Sequence, residues 1–241
     1  MKKTLLTVAV AAAALVAAGA GASPALACGS GGGYSYAGVA APSRAFGIAA
    51  SVMPVGAFNV RAGHVAGWVG VGGPGEGPNG SDEWLQVGFS GFPSVDGNDL
   101  YYELTLPNGQ PTYHQVASGL PVGKPARFAV LEMHNRPNWW RVWVNGSPAS
   151  GPIHLPASHG RWAPIATAES WDGGTGGACN GFLYRFDRVS IAHAPGGGWH
   201  PLGSAVNISS VSTRVRHGNS NASFMAAEGD DALRMLASAN S

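Results

Sequence analysis

Residues 82–92 read DEWLQVGFSGF, and their alternation decides the fold class. In an extended chain successive side chains point to opposite faces. Leu85, Val87 and Phe89 therefore form one apolar face, while Trp84, Gln86 and Gly88 form the other. An apolar period of two marks a half-buried strand rather than a helix. The second face carries an indole, a neutral amide and a residue with no side chain, an unusual set for a surface that only meets water.

Working outward, the same texture recurs. HVAGWVGVGG (64–73), EWLQVGFSGF (83–92), DLYYELTLP (99–107), ARFAVLEMH (126–134), WWRVWVNG (139–146), APIATAESW (163–171) and FLYRFDRVSIAHA (182–194) are rich in β-branched or aromatic residues and are split by Gly, Pro and Asn turns. EMHNRPNWWRVWVNG is the clearest hairpin. No segment of residues 45–195 has sustained helical spacing, so the predicted class is all-β: an antiparallel β-sandwich or concanavalin-like jelly roll.

The ends differ in composition. Residues 1–27 combine two lysines, an Ala-rich apolar run and Ala25-Leu26-Ala27, which reads as a secretory signal peptide with an A-x-A cleavage site. Residues 28–44 are Gly/Ser-rich and read as a flexible leader, residues 45–200 as the sandwich domain, and residues 201–241 as a polar, loosely attached tail with a short helical possibility at Phe224–Leu236. Export favours a disulfide between the only two cysteines, Cys28 and Cys179. Cys28 also directly follows the cleavage point, as in a lipoprotein, but Ala25 and Leu26 depart from a lipobox. With 14 Lys+Arg against 13 Asp+Glu and no basic stripe, nothing directs the chain to nucleic acid or to an anionic membrane.

In APIATAESW, alternation puts Ile165, Thr167, Glu169 and Trp171 on one face, so a carboxylate again stands among aromatic residues. The bland reading is a strand-end Glu in water. No G-x-S-x-G elbow is present, neither cysteine has a base in evidence, and the eight histidines lack metal-ligand spacing. An alternative is a sugar-handling protein, with Trp139, Trp140 and Trp143 as a stacking platform and Glu103 with Glu169 as a carboxylate pair for hydrolysis; without an E-x-D-x-x-E motif, a non-catalytic glycan-binding or interaction module stands ahead of a glycosidase. That hairpin is apolar on both faces, however, as a buried strand would be.

The order GWVGVGG, a Gly-rich loop, WLQVGFSGF, LYYEL, then TAESW and FDRVSIAHA resembles the glutamic peptidases of the eqolisin family over roughly residues 64–194. The resemblance implies a secreted β-sandwich endopeptidase with a catalytic Gln and Glu, matched here by Gln86 and Glu169. Glu169 would take a proton from water and return it to the leaving amine, and Gln86 would donate to the oxyanion. Trp68, Trp84 and Trp171 would line the substrate cleft and Gly88 would leave room for substrate backbone, with sandwich-core packing the competing role for Trp68 and Trp84. The chain departs from the family where Ser170 separates Glu169 from Trp171. No metal or cofactor is implied, and the expected partner is a polypeptide substrate met by a monomer free of nucleic acid and, after signal removal, of membrane.

Overall fold

Sixteen strands, assigned in a computed structural model that describes residues 33–174, 180–209, 213–218 and 223–229, carry nearly all of the regular structure. In chain order they are β1 (Tyr34–Ala40), β2 (Gly47–Pro54), β3 (His64–Gly73), β4 (Glu83–Gly91), β5 (Asn98–Thr105), β6 (Thr112–Leu120), β7 (Ala126–Glu132), β8 (Trp139–Val144), β9 (Ser147–Pro148), β10 (Ile153–His154), β11 (Ile165–Trp171), β12 (Phe182–Ala194), β13 (Gly197–Pro201), β14 (Val206–Ser209), β15 (Thr213–His217) and β16 (Phe224–Glu228). They form two antiparallel sheets. The first has the order β14-β1-β11-β3-β4-β5-β6; the second runs β10-β8-β7-β2-β12-β16-β15, with β13 beside β12 and β9 beside β8. The predicted all-β sandwich is the observed architecture.

The core lies between the sheets and is built by alternation. Leu85, Val87 and Phe89 of β4 point inward and are buried, as are Val69 and Val71 of β3. They meet Phe128 and Val130 of β7, Trp140 and Val142 of β8, and Phe186 of β12. The Phe89 and Phe128 rings touch edge to face across the layers, with centroids 5.0 Å apart. Each such side chain contributes roughly 1.5–3 kcal/mol by leaving water. Apolar burial therefore fixes which face of every strand looks inward, and the other face of the first sheet is left for chemistry.

The sandwich extends beyond residues 45–200 on both sides. Tyr34–Ala40, within the stretch read as a flexible leader, is β1, held between β11 and β14. Its sequence, YSYAGVA, alternates aromatic and small residues and buries Ala37 and Val39. In the segment read as a loose tail, Phe224–Glu228 is an internal strand of the second sheet, not the start of a helix. Phe224 and Ala226 point into the core and Phe224 stacks on Phe186 at 4.6 Å. Burial overrides local composition there. The signal-peptide segment and the Cys28–Cys179 bridge lie outside the described residues.

Candidate active site

The outer face of the first sheet is built on β3, β4 and β5 with β11 and β1 beside them. Gln86 lies opposite Gly70 of β3 on one side and opposite Glu103 of β5 on the other. Glu169 of β11 lies opposite Ala66 of β3 and Tyr36 of β1. Both therefore share one face, separated by β3, with Trp68 standing between Gly70 and Ala66. Gln86 is 7% exposed and Glu169 is 6% exposed. Buried polar groups of this kind are uncommon and need partners.

Each has one, although no hydrogen bond joins the two to each other among the described residues. The Gln86 amide donates from Nε2 to the Tyr101 hydroxyl at 3.1 Å. Glu169 Oε1 lies 3.3 Å from His64 Nε2. Trp84 Nε1 donates to Glu103 Oε1 at 3.0 Å. Tyr101 stacks on Tyr113 with centroids 4.9 Å apart, and the Tyr113 hydroxyl lies 2.9 Å from Ser90 Oγ. The Trp68 indole is buried against Ala66 and Tyr101, apart from the main core, and its Nε1 has no partner. Core packing between the sheets is thus not the role of Trp68 or Trp84: both point outward, Trp84 as the clamp on Glu103.

Titration behaviour follows from this crowding. Burial raises the Glu103 carboxyl above the usual carboxylate range, and the neighbouring Glu169 adds to the rise, while the Trp84 hydrogen bond and His64 oppose it. Burial first, and then Glu169, raise the phenols of Tyr36 and Tyr101. Tyr113 is pushed up to about 12, mainly by burial. All of these tyrosines are therefore neutral hydrogen-bonding groups at any working pH.

Gly88 has a specific steric reason. A Cβ there would lie 2.2 Å from the Gly67 carbonyl oxygen and 2.7 Å from Trp68 Cβ. The missing side chain makes room for Trp68 and the β3 backbone. Trp171, on the Glu169 face, stacks with Tyr34 at 6.0 Å and packs against His64 at 5.6 Å. Ser170 between Glu169 and Trp171 points away from that face and accepts from Asn180 Nδ2 at 3.0 Å. The aromatic after Glu169 is thereby kept on the carboxylate's own face.

Five neighbours were not among the residues singled out from sequence: Tyr34, Tyr36, His64, Tyr101 and Tyr113. Tyr101 shares its face with Glu103, and His64 with Trp68, so parity could have found them once strand order was known. Tyr34 and Tyr36 were hidden in a stretch whose glycines read as leader. Among the described residues no group of three or more His, Cys, Asp or Glu gathers as a metal site.

The fold defined by this geometry is a two-sheet antiparallel sandwich with a buried Gln, Glu and Trp set on one outer face. Among solved structures it is similar to scytalido-glutamic peptidase bound to a peptide-based transition-state analogue, at 15% identity and a TM-score of 0.54 over 81% of this chain and 98% of that one. It is also similar to SCP-B, a member of the eqolisin family of peptidases in complex with the tripeptide Ala-Ile-His, at 14% identity and a TM-score of 0.51 over the same shares of each chain. No family model and no curated protein sequence matches the chain. At these identities the likeness is one of fold.

Proposed function

We propose that this protein is an endopeptidase that hydrolyses peptide bonds on the acid side of neutrality, with Glu169 as general base and acid and Gln86 as oxyanion donor. The observation that carries the reading is the placement of both side chains, buried, on one outer face of the same sheet around an unpartnered Trp68 Nε1. The fold shared with eqolisin peptidases supports it. Export through the segment 1–27 belongs to the same proposal.

The chemistry balances without a cofactor. Glu169 accepts a proton from a water molecule whose oxygen attacks the scissile carbonyl carbon. The carbonyl oxygen becomes the oxyanion. A primary amide has two N–H donors; Gln86 uses one on Tyr101, which fixes the amide and leaves the other for the oxyanion. Glu169 then returns its proton to the amide nitrogen as the C–N bond breaks.

Glu103 supplies the pH logic. It lies directly across from Gln86, and its raised titration keeps it neutral further into the mildly acidic range than an exposed carboxyl. Once ionised it repels the oxyanion beside Gln86, so activity falls as pH rises through the Glu103 titration.

The test is cleavage of a denatured protein substrate between about pH 2 and about pH 7 in the presence of pepstatin, comparing wild type with Glu169→Gln and Gln86→Ala. Pepstatin-resistant acid-side cleavage that both substitutions remove supports the reading. A folded wild type that cleaves at no pH retires it.

A further inference from the structure

The groups considered so far leave His64 without a role, although its imidazole sits against the carboxylate on which the chemistry depends. Its Nε2 lies 3.3 Å from Glu169 Oε1. Three rings fix its position: Tyr34 at 6.3 Å, Phe92 at 6.1 Å and Trp171 at 5.6 Å between centroids. The strand segments that carry the pair are tied together as well. Asn180, 1% exposed, donates from Nδ2 to the carbonyls of Ala62 at 2.8 Å and Trp171 at 3.0 Å and to Ser170 Oγ at 3.0 Å, while its Oδ1 accepts from the Arg61 backbone at 2.8 Å. One buried amide therefore clamps the entry of β3 to the exit of β11, where His64 and Trp171 face each other in register.

We infer that His64 is a positioning residue for Glu169, its Nε2–H holding Oε1 so that Oε2 is turned toward the attacking water. The inference rests on the peptidase reading for its catalytic consequence, although the pairing itself does not. A carboxylate with one oxygen held has a single free basic oxygen, and fixing its direction matters because a misplacement of about 1 Å at a reacting group can lower a rate about a hundredfold. The other titratable groups facing this pair are Tyr34 and Tyr36 on β1 and, through space, Glu103 on β5.

Two substitutions separate packing from positioning. His64→Phe keeps a ring among Tyr34, Phe92 and Trp171 but removes the donor. His64→Gln restores an N–H at a similar reach without an ionisable group. The expected result is a fall in kcat of about tenfold or more for His64→Phe with KM within about twofold, and recovery of most of that loss in His64→Gln at the optimum pH. A His64→Phe enzyme with wild-type kcat overturns the inference while leaving the peptidase reading intact. A wild type that cleaves nothing removes the peptidase reading and this role with it.

Discussion

The two outer faces of the sandwich both carry tryptophan, and they use it in opposite ways. On the first sheet Trp68 and Trp84 lie among Gln86, Glu103 and Glu169, and the Trp68 N–H is buried with no acceptor. On the second sheet Trp139 and Trp143 are half-buried and are covered by cations: the Arg136 guanidinium lies 4.4 Å from the Trp139 ring and the Arg141 guanidinium 5.9 Å from the Trp143 ring. Trp140, between them, is fully buried and donates to Ser158 Oγ at 2.8 Å. These arginine contacts, with Trp140 turned into the core, leave no bare three-ring platform for a glycan. The first face carries an unpaired donor and the buried Glu169 carboxylate, with the half-buried Glu103 nearby. Aromatic content does not separate the two faces; the buried Gln86 and Glu169 of the first face do.

Breaking the first face should have the largest effect. Glu169→Gln is expected to lower kcat about 10²–10⁴-fold and Gln86→Ala about 10²–10³-fold. Thermal unfolding should show both variants still folded, and steady-state cleavage assays measure the loss. Trp143→Ala on the opposite face should leave kcat within about twofold in the same assays; a comparable loss there would erase the contrast between the faces. Tyr101→Phe removes the group that fixes the Gln86 amide and should lower kcat about tenfold with little change in KM.

A carboxyl between the sheets sharpens the comparison in another currency. Glu83 is fully buried, neither of its oxygens has a hydrogen-bond partner, and burial pushes it up to about 7. With the folded titration above the unfolded one, the native state binds more protons between about pH 4.5 and about pH 7, so stability declines as pH rises through that window. Glu83→Gln should remove this decline, gaining about 3 kcal/mol at pH 8 relative to pH 4, as measured by urea unfolding at the two values. The smallest effect belongs to the second face, where Arg136→Ala loses one exposed cation–π contact and should cost about 0.5–1 kcal/mol in unfolding free energy, with kcat unchanged.

Much of this was legible in the chain. Alternation placed Leu85, Val87 and Phe89 inward, put Gln86 and Trp84 on the opposite face, and matched β3, β8 and β12 closely, because long runs of β-branched and aromatic residues bounded by Gly and Pro have few other ways to bury themselves. Alternation also put Glu169 and Trp171 on one face. It could not show that Trp68 is an outward residue of the site. Nor could it explain Gly88, whose missing Cβ is required by Trp68 on the neighbouring strand.

Tyr34 and Tyr36 show where local reading stops. Their stretch is glycine-rich and weak as an isolated strand, yet it becomes β1 because β11 and β14 supply its hydrogen bonds and the core accepts Ala37 and Val39. Phe224–Glu228 is pulled from a helical possibility into β16 in the same way. The sequence by itself determined the sandwich class and the inward faces, because period-two burial is a local property of each strand. The tertiary structure alone decided which strands lie side by side, and so which groups meet: His64 with Glu169, Tyr101 with Gln86, and Asn180 with both strand ends. Sheet order is set by long-range pairing and layer packing, which no local pattern encodes.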